Sequence, residues 1–234
     1  MYSQDWSVSI IIPTCNEAKQ LPVLLDYLYA LPHQEYIKEV IISDGQSTDD
    51  TLAVASRFPV KTVENPCRSR AIQLNNGAQF ATGNIYYFLH ADSFPPQNFI
   101  SNITQQVNKG YHSGCFRLQF DATHWLLRAF AWFTRFDVNL FRYGDQSLFI
   151  TSKLFQRIGG YSEQFLVLED QEIIRRIKRQ AAFIVISDYI TTSARKYRRN
   201  GVFRLKAIFL YVHLMAIFGT PQPVIAQRYR QLCR

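Results

Sequence analysis

Four short apolar runs, each followed by a segment with helical periodicity, organise the first half of the chain. Each run places apolar side chains on successive positions, which predicts strands buried on both faces, as in parallel sheets. The four predicted strands are residues 8–13, 39–43, 60–63 and 84–89. Because strand and helix alternate, the sequence predicts an α/β fold with a mostly parallel central sheet flanked by helices.

The predicted helices are read from apolar residues that recur at helical spacing. In this half of the chain the clearest cover residues 21–31, 71–80 and 99–107. Short polar side chains favour helix starts, so we expect Asn16 to cap the first helix. For the same reason we expect Ser47 or Thr48 to cap a short second helix.

Beyond residue 110 the regular alternation ends, and the pattern predicts a mixed arrangement. We expect strands at 113–120 and 147–151, and helices at 123–136, 169–180 and 202–218. We expect residues 1–200 to form the main domain, with residues 201–234 as a helical extension packed on it. For helix 202–218, core packing, a dimer contact and membrane docking remain open, and exposure of Phe209, Leu210 and Phe218 would favour the last two.

Composition narrows the class of protein without fixing its function. The 234 residues are 47% hydrophobic with a formal charge of +8, which suits one globular domain with an anionic partner. Nucleotides, phosphorylated lipids, anionic membranes and nucleic acid all fit that charge. The cysteines are scattered, which argues against a zinc finger or a disulfide framework and favours a reducing compartment. We expect no signal peptide at residues 1–13 and no spanning helix, and therefore a cytoplasmic protein.

Polar side chains follow the predicted strands and should converge, because parallel strands end at one edge of a sheet. They are Thr14, Asn16 and Glu17, then Asp44, then His90 and Asp92. Asp44 has two interpretations, a turn residue or an acceptor for a base or ribose. Asp92 also has two, a turn residue or a ligand of Mg²⁺ or Mn²⁺ whose shell diphosphate oxygens complete.

Two later segments carry further charged candidates. Glu169 and Asp170 stand at a predicted helix start, where acidic residues are favourable, and one of them is also a candidate general base. The basic run at 195–206 is either a solvated face, a site that stabilises a diphosphate, or a contact for anionic lipid. We find no nucleic-acid-binding motif in the sequence and expect no nucleic-acid partner.

Four motifs occur in an order that resembles family 2 inverting glycosyltransferases of the GT-A fold. They are VSIIIPTCNEAKQLPVLL, VIISDGQSTDDT, LHADSFPP and GGYSEQFLVLEDQEIIRRIKR, and the resemblance spans residues 6–199. The segments RSRAIQLNNGAQFATGN, HAD, GDQ and SARKY are similar to a bacterial subgroup, the arsenosugar-biosynthesis-type glycosyltransferases. The resemblance implies transfer of a single sugar from a nucleoside diphosphate to an acceptor hydroxyl.

The resemblance also implies a nucleotide-sugar pocket with Asp44 on the base and Arg70 near the base or the diphosphate. The positions implied to line that pocket are Pro13, Thr14, Asn16, Glu17, Asp44, Arg70, His90, Asp92, Arg195 and Lys196. UDP is the family's commonest nucleotide, so a UDP-sugar is the preferred donor, while the acceptor stays unassigned.

The resemblance assigns the metal to Asp92 and the base that deprotonates the acceptor to Asp170, beside Glu169. Arg195 or Lys196 is implied to stabilise the departing nucleotide. His90 stands where the family usually has the first aspartate of Asp-x-Asp, which changes the expected ribose contact and metal preference. The rival interpretations are a nucleotidyltransferase, disfavoured because residues 13–20 lack glycine, and a non-catalytic module that binds sugar nucleotides or membranes.

Overall fold

The structure, a computed structural model, describes residues 6–32, 34–142 and 144–233, apart from the side chain of Leu140. Residues 1–5 therefore lie outside the described residues. They belong to the segment 1–13, in which we expect no signal peptide. The described residues form one eight-stranded sheet, in the order β3-β2-β1-β4-β7-β6-β8-β5. Its strands are β1 (Val8–Thr14), β2 (Ile37–Asp44), β3 (Lys61–Glu64), β4 (Ile85–Phe88), β5 (Ser93–Phe94), β6 (Ser113–Phe120), β7 (Leu148–Thr151) and β8 (Ile184–Thr192).

The first half of the sheet is parallel, as the apolar runs predict. β1 lies between β2 and β4 and pairs in parallel with both, while β3 pairs in parallel with β2. In this register Thr14 lies opposite Asp44, and Asp44 lies opposite Glu64. The carboxyl ends of these strands therefore form one edge, where the polar side chains that follow them meet.

The second half of the sheet is mixed, which confirms the prediction for residues beyond 110. β7 runs antiparallel to both β4 and β6, whereas β6 and β8 are parallel. Leu148, the first residue of β7, pairs with Phe88, the last residue of β4. The segment just before β7 therefore lies at the same edge as the polar residues that follow β4.

Helices cover both faces of the sheet. One face packs against α1, α4, α5 and α9, and the other packs against α3, α6 and α7. The helices are α1 (Leu21–Ala30), α2 (Thr51–Ala55), α3 (Arg70–Gln79), α4 (Phe99–Asn108), α5 (Trp125–Phe133), α6 (Ser152–Arg157), α7 (Glu169–Lys178), α8 (Arg195–Asn200), α9 (Val202–Ile217) and α10 (Gln222–Leu232). Strand β1 serves both faces, since Ile10 and Ile12 join one core cluster and Ile11 joins the other.

The predicted helix caps are wrong. α1 begins at Leu21 without a side-chain cap, and Asn16 instead has a left-handed backbone (φ 58°) and accepts a hydrogen bond from the Thr48 backbone N–H. α2 begins at Thr51, four residues after Ser47, whose hydroxyl donates to Asp44. These polar side chains join the loops at the sheet edge and do not cap the helices.

The helix predicted at 202–218 forms as α9, and it has two apolar faces. Leu205, Ile208 and Val212 are buried, and Phe209 packs against the main core cluster. Leu210 and Phe218, by contrast, are exposed. No helix within the described residues is long and apolar enough to cross a membrane.

Gly77 of α3 packs closely against Ile11 of β1, and it gives a test of this packing. A Cβ at Gly77 would lie 2.6 Å from Cγ2 of Ile11. Helix propensity alone would make Gly77→Ala stabilising by about 1 kcal/mol, whereas overpacking of this kind costs roughly 1–3 kcal/mol. We expect urea unfolding to show a net loss of stability. Ile11→Ala in the same chain should relieve the clash, so additive effects of the two substitutions would contradict this packing.

Candidate active site

The Asp44 carboxylate joins the ends of β1 and β2. It accepts hydrogen bonds from the Thr14 hydroxyl (2.9 Å), the Ser47 hydroxyl (2.5 Å) and the Ser47 backbone N–H (2.8 Å). Thr14 and Asp44 are both buried. Two of these donors reach Oδ1 and one reaches Oδ2, so the carboxylate keeps acceptor capacity for a further N–H at Oδ2. Pro13 is half-buried beside Thr14.

Four non-glycine residues in the described part of the chain adopt a left-handed backbone, and all four lie in loops around this edge. Asn16 and Gln46 follow β1 and β2, Ser147 precedes β7, and Leu168 precedes α7. Such conformations cost of order 1–3 kcal/mol and concentrate at functional sites. Their clustering marks this edge as the place where function constrains the backbone.

Arg195 joins the loop after β1 to the loop after β4. Its guanidinium forms a two-pronged ion pair with Glu17, at 2.8 and 3.1 Å, and lies 3.6 Å from Oδ2 of Asp92. Burial, and then the negative charge of Asp145, raise the pKa of the Asp92 carboxyl, while His90 and Arg195 oppose that rise. An added cation would therefore stabilise the ionised form of Asp92.

Asp145 lies at the centre of the site, and the sequence analysis did not single it out. Its Oδ1 lies 3.0 Å from Nδ1 of His90. Burial opposes ionisation of Asp145, but the hydrogen bond and charge of His90 lower its pKa. The GDQ segment was a signal for this residue, although no pattern indicated that β7 runs antiparallel and brings the segment to this edge.

Arg70 at the start of α3 holds the two acidic residues at the start of α7. Its Nη1 lies 3.2 Å from Oε1 of Glu169 and 3.8 Å from Oδ2 of Asp170. Burial, and then the charge of Glu169, raise the pKa of Asp170 to about 6, although Arg70 opposes this rise. Asp170 and His90 line one small pocket together with Gly144. Asp170 is therefore a partly buried carboxyl with a raised pKa beside Arg70.

The structure brings most of the predicted residues to this edge. The ones that meet there are Thr14, Asn16, Glu17, Asp44, Arg70, His90, Asp92, Glu169, Asp170 and Arg195. Lys196 donates to the Tyr229 hydroxyl and lies over that ring and the ring of Phe209, and the charges of Asp145 and Asp92 act on it.

The donor set at the edge fits a hard divalent ion that takes most of its ligands from a bound diphosphate. Within the part of the chain that the structure describes, no three His, Cys, Asp or Glu residues form a ready-made metal cluster. Asp92 nevertheless supplies a carboxylate whose ionised form is destabilised by burial and by Asp145. Carboxylate oxygens are the ligands that Mg²⁺ and Mn²⁺ prefer.

Two sequence comparisons, one with a family model and one with individual proteins, both find similarity to glycosyltransferases. The family model for Glycosyl transferase family 2 matches residues 9–161. A PGL/p-HBAD biosynthesis glycosyltransferase of Mycobacterium bovis is 31% identical over 206 residues, which cover 82% of this chain and 77% of that protein. A dolichyl N-acetyl-alpha-D-glucosaminyl phosphate 3-beta-D-2,3-diacetamido-2,3-dideoxy-beta-D-glucuronosyltransferase of Methanococcus voltae is 31% identical over 102 residues. That match covers 41% of this chain and only 32% of the longer Methanococcus protein.

Solved structures share the fold. A mannosyltransferase from Pyrobaculum calidifontis, in complex with GDP-Man and Mn²⁺, gives a TM-score of 0.73 at 19% identity, over 98% of this chain and 70% of that one. Glucosyl-3-phosphoglycerate synthase from Mycobacterium tuberculosis, in complex with Mn²⁺ and UDP, gives 0.61 at 16% identity, over 92% and 81%. At these identities the likeness establishes the fold alone, and it confirms the predicted fold class.

Gly144 offers a test of the pocket that does not alter a charged group. A Cβ there would lie 2.2 Å from Oδ2 of Asp170 and 2.7 Å from Cε1 of His90. We expect Gly144→Ala to displace Asp170 and to lower kcat/KM by about 100-fold, the effect of a displacement of roughly 1 Å in a reacting group.

The matched control is Gly110→Ala. A Cβ at Gly110 meets no atom within 4 Å, but the backbone is left-handed (φ +92°), so this variant should lose stability and keep its activity. Equal activity in the two variants, each normalised to folded protein by thermal melting, would show that Gly144 does not shape the site.

Proposed function

The chain belongs to glycosyl transferase family 2 and is a glycosyltransferase, and we propose that it transfers one sugar from a nucleoside diphosphate to an acceptor hydroxyl with inversion at the anomeric carbon. The observation that carries this proposal is the placement of Asp170. This partly buried carboxylate lines one pocket with His90, and His90 contacts Asp145 at the edge that also holds Asp92. Inversion requires a base and a leaving group on opposite sides of the sugar.

Asp170 acts as the general base in this proposal. A carboxylate with a pKa near 6 is a stronger base than an ordinary aspartate and is still mostly ionised at neutral pH. It removes the proton of the acceptor hydroxyl as the hydroxyl oxygen attacks the anomeric carbon. The bond from that carbon to the diphosphate oxygen breaks, and the nucleoside diphosphate leaves with the electron pair. Glu169 keeps Arg70 in place, and Arg70 orients Asp170.

The nucleotide binds at the ends of β1 and β2 in this proposal. Pro13, Thr14 and Asn16 line the pocket, and the free capacity of Asp44 Oδ2 accepts an N–H of the base. Uracil and guanine both present such an N–H, so Asp44 by itself does not select between them. The Pyrobaculum structure contains GDP-Man and the Mycobacterium structure contains UDP. We propose a UDP-sugar as the first donor to test.

A divalent metal fits at Asp92, and Mn²⁺ in both similar structures supports it. When bound there, Mg²⁺ or Mn²⁺ supplies positive charge that stabilises the diphosphate of the leaving group. Among the protein's own groups, Arg195 is placed for the same task, since it already contacts Glu17 and lies beside Asp92. Lys196, held by Tyr229, is the weaker candidate. His90 orients Asp145 and does not replace the missing carboxylate of the Asp-x-Asp motif directly.

The proposal also covers the acceptor and the location of the protein. The Methanococcus relative is named for an acceptor sugar linked to dolichyl phosphate, and we propose that this chain also uses an acceptor hydroxyl on a lipid-linked molecule. We propose a cytoplasmic protein in contact with the inner face of the membrane. Family membership removes the nucleotidyltransferase and the non-catalytic module as explanations.

The proposed base gives a pH profile that can be measured. Because Asp170 must be ionised to accept a proton, activity should rise with pH through about 6 and level off above it. We expect Asp170→Asn to lower kcat by about 10²–10⁴-fold, the usual contribution of a general base, and to abolish this rise. Glu163→Gln changes an exposed acidic residue of the loop before α7 and serves as the control. A wild-type profile in Asp170→Asn would assign the base to another residue.

Donor binding can be tested separately from catalysis by thermal shift. We expect one nucleotide sugar to raise the melting temperature with Mn²⁺, since a ligand at 100 times its Kd stabilises by about 2.7 kcal/mol. The stabilisation should disappear in Asp92→Asn. The control is Asp121→Asn, which also removes a carboxylate paired with an arginine, Arg198, at the end of β6. Equal stabilisation of both variants would remove Asp92 from the donor site.

A further inference from the structure

The outward face of α9 is apolar although it faces solvent. Phe203, Leu210, Leu214 and Ile217 are spaced by seven, four and three residues, which places them on one side of the helix. All four are exposed, Ile217 to 74%, and Phe218 just beyond the helix is exposed to 82%. The opposite side of α9 is already packed on the core. This second apolar face is therefore left largely uncovered by the described part of the chain.

The exposed aromatic residues of α5 extend this face. Trp125 of α5 contacts Phe203 of α9, with ring centroids 6.4 Å apart. Farther along α5, Trp132 and Phe133 are exposed, and Phe136 follows in contact with both. We call the exposed apolar residues of α5 and α9, with Phe136 and Phe218, the apolar surface. Apolar patches that are continuous over two helices mark interaction sites on soluble domains.

The two helices of the apolar surface carry positive charge only, and Asp137, which follows Phe136, is paired with Lys178. Neither α5 nor α9 contains an aspartate or a glutamate. Arg128 is exposed on α5, Arg135 lies with its guanidinium 4.5 Å from the ring centroid of Trp132, and Arg204 is exposed next to Phe203. Tryptophan and arginine side by side match the boundary of a bilayer, where apolar rings meet the acyl region and cations meet phosphate.

We propose that the apolar surface docks on an anionic lipid bilayer, with α5 and α9 lying in the interfacial plane. Burial of its aromatic and aliphatic side chains supplies the apolar part of the binding. Each nearby arginine adds attraction to anionic headgroups, of a kind that weakens as salt screens it. Both contributions are needed, because neither a neutral bilayer nor a soluble polyanion satisfies the two chemistries together.

A second copy of the chain is a poorer occupant than a bilayer. A two-fold contact brings the same patch from both copies together. Arg128 and Arg204 of both copies would then lie in one interface, and neither helix has a carboxylate to pair with them. Like charges brought together in this way disfavour the complex. Anionic lipid removes the problem by supplying the missing negative charge.

The same two helices line a cavity that reaches the active site. Phe130 of α5 and Lys206 and Phe209 of α9 line it, together with Asp145. Asp145 contacts His90, which shares a pocket with Asp170. If the proposed function holds, docking therefore places the bilayer on the two helices between which a lipid-linked acceptor approaches the base. The docking itself does not depend on that function.

Vesicle flotation and tryptophan fluorescence test the docking. Two of the three tryptophans, Trp125 and Trp132, belong to the apolar surface. With phosphatidylcholine vesicles that contain about 30% phosphatidylglycerol, we expect the protein to float and its emission to shift to the blue. Pure phosphatidylcholine should bind at least tenfold more weakly. Salt at about 0.5 M, where the Debye length is only a few ångströms, should reduce the binding.

Matched variants distinguish vesicle binding through the apolar surface from nonspecific adsorption. Leu210→Ser, Ile217→Ser and Phe218→Ser together should weaken vesicle binding at least tenfold. The control combines Val23→Ser and Phe80→Ser, which change residues 54% exposed elsewhere on the chain, and should bind as the wild type does. Thermal melting with a nucleotide sugar on the same proteins shows whether the fold and the donor site are intact. Loss of vesicle binding with intact donor binding thus supports docking, and a failed donor response tests the proposed function separately.

Two results would overturn the proposal. One is that wild-type protein fails to bind the anionic vesicles, or that the triple variant binds them as well as the wild type does. The other is that sedimentation velocity finds a wild-type dimer which the triple variant converts to a monomer while neither binds vesicles. That outcome would assign the apolar surface to a contact between two copies of the chain.

Discussion

The ion pair between Arg70 and Glu169 is the contact on which the candidate site depends. The Glu169 side chain is only 6% exposed, and a buried carboxylate is tolerated when a cation compensates it. Arg70 comes from α3 in the parallel half, and Glu169 comes from α7, 99 residues later in the mixed half. Without Arg70 the buried Glu169 carboxylate would lose its charge partner, although the guanidinium itself is about half exposed and partly screened by solvent. This one contact therefore fixes how the nucleotide side of the site faces Asp170.

The parallel half of the fold was predictable because its strands are buried on both faces, which leaves uninterrupted apolar runs. The mixed half carries weaker signals. β8 was missed since polar residues such as Asp188 interrupt its apolar positions, and several of its side chains are only partly buried. The direction of β7 cannot be read from its own four residues, because pairing with β4 decides it. The antiparallel direction of β7 brings Asp145 to His90. Because this direction depends on pairing with β4, the local sequence predicted neither the orientation of β7 nor the place of Asp145 in the site.

Within the site, the sequence predicted that the residues after the parallel strands would come together. It did not predict which side chains would be in contact. Residues that follow parallel strands must meet, and Thr14 and Asp44 do so directly. The local capping rule failed at Asn16 because the loop uses that side chain to hold Thr48 across the edge. The contacts of Lys196 were not predictable for a related reason. It belongs to a basic run, but its ammonium lies over the rings of Phe209 on α9 and Tyr229 on α10, which no local pattern indicates.

The balance of charge at the edge constrains how a donor can bind. Six carboxyl groups surround it, those of Glu17, Asp44, Asp92, Asp145, Glu169 and Asp170. Arg70 contacts Glu169 and Asp170, and Arg195 contacts Glu17 and Asp92. A nucleoside diphosphate adds further negative charge to this region. Two unit charges 4 Å apart at a protein surface interact by about 4 kcal/mol, so uncompensated repulsion would exclude the donor. Arg195 already neutralises Glu17 and Asp92, and moving it to the diphosphate would expose those carboxylates to each other. Under the proposed function, a donor and an added cation would therefore favour each other's binding, each raising the affinity of the other by the same factor.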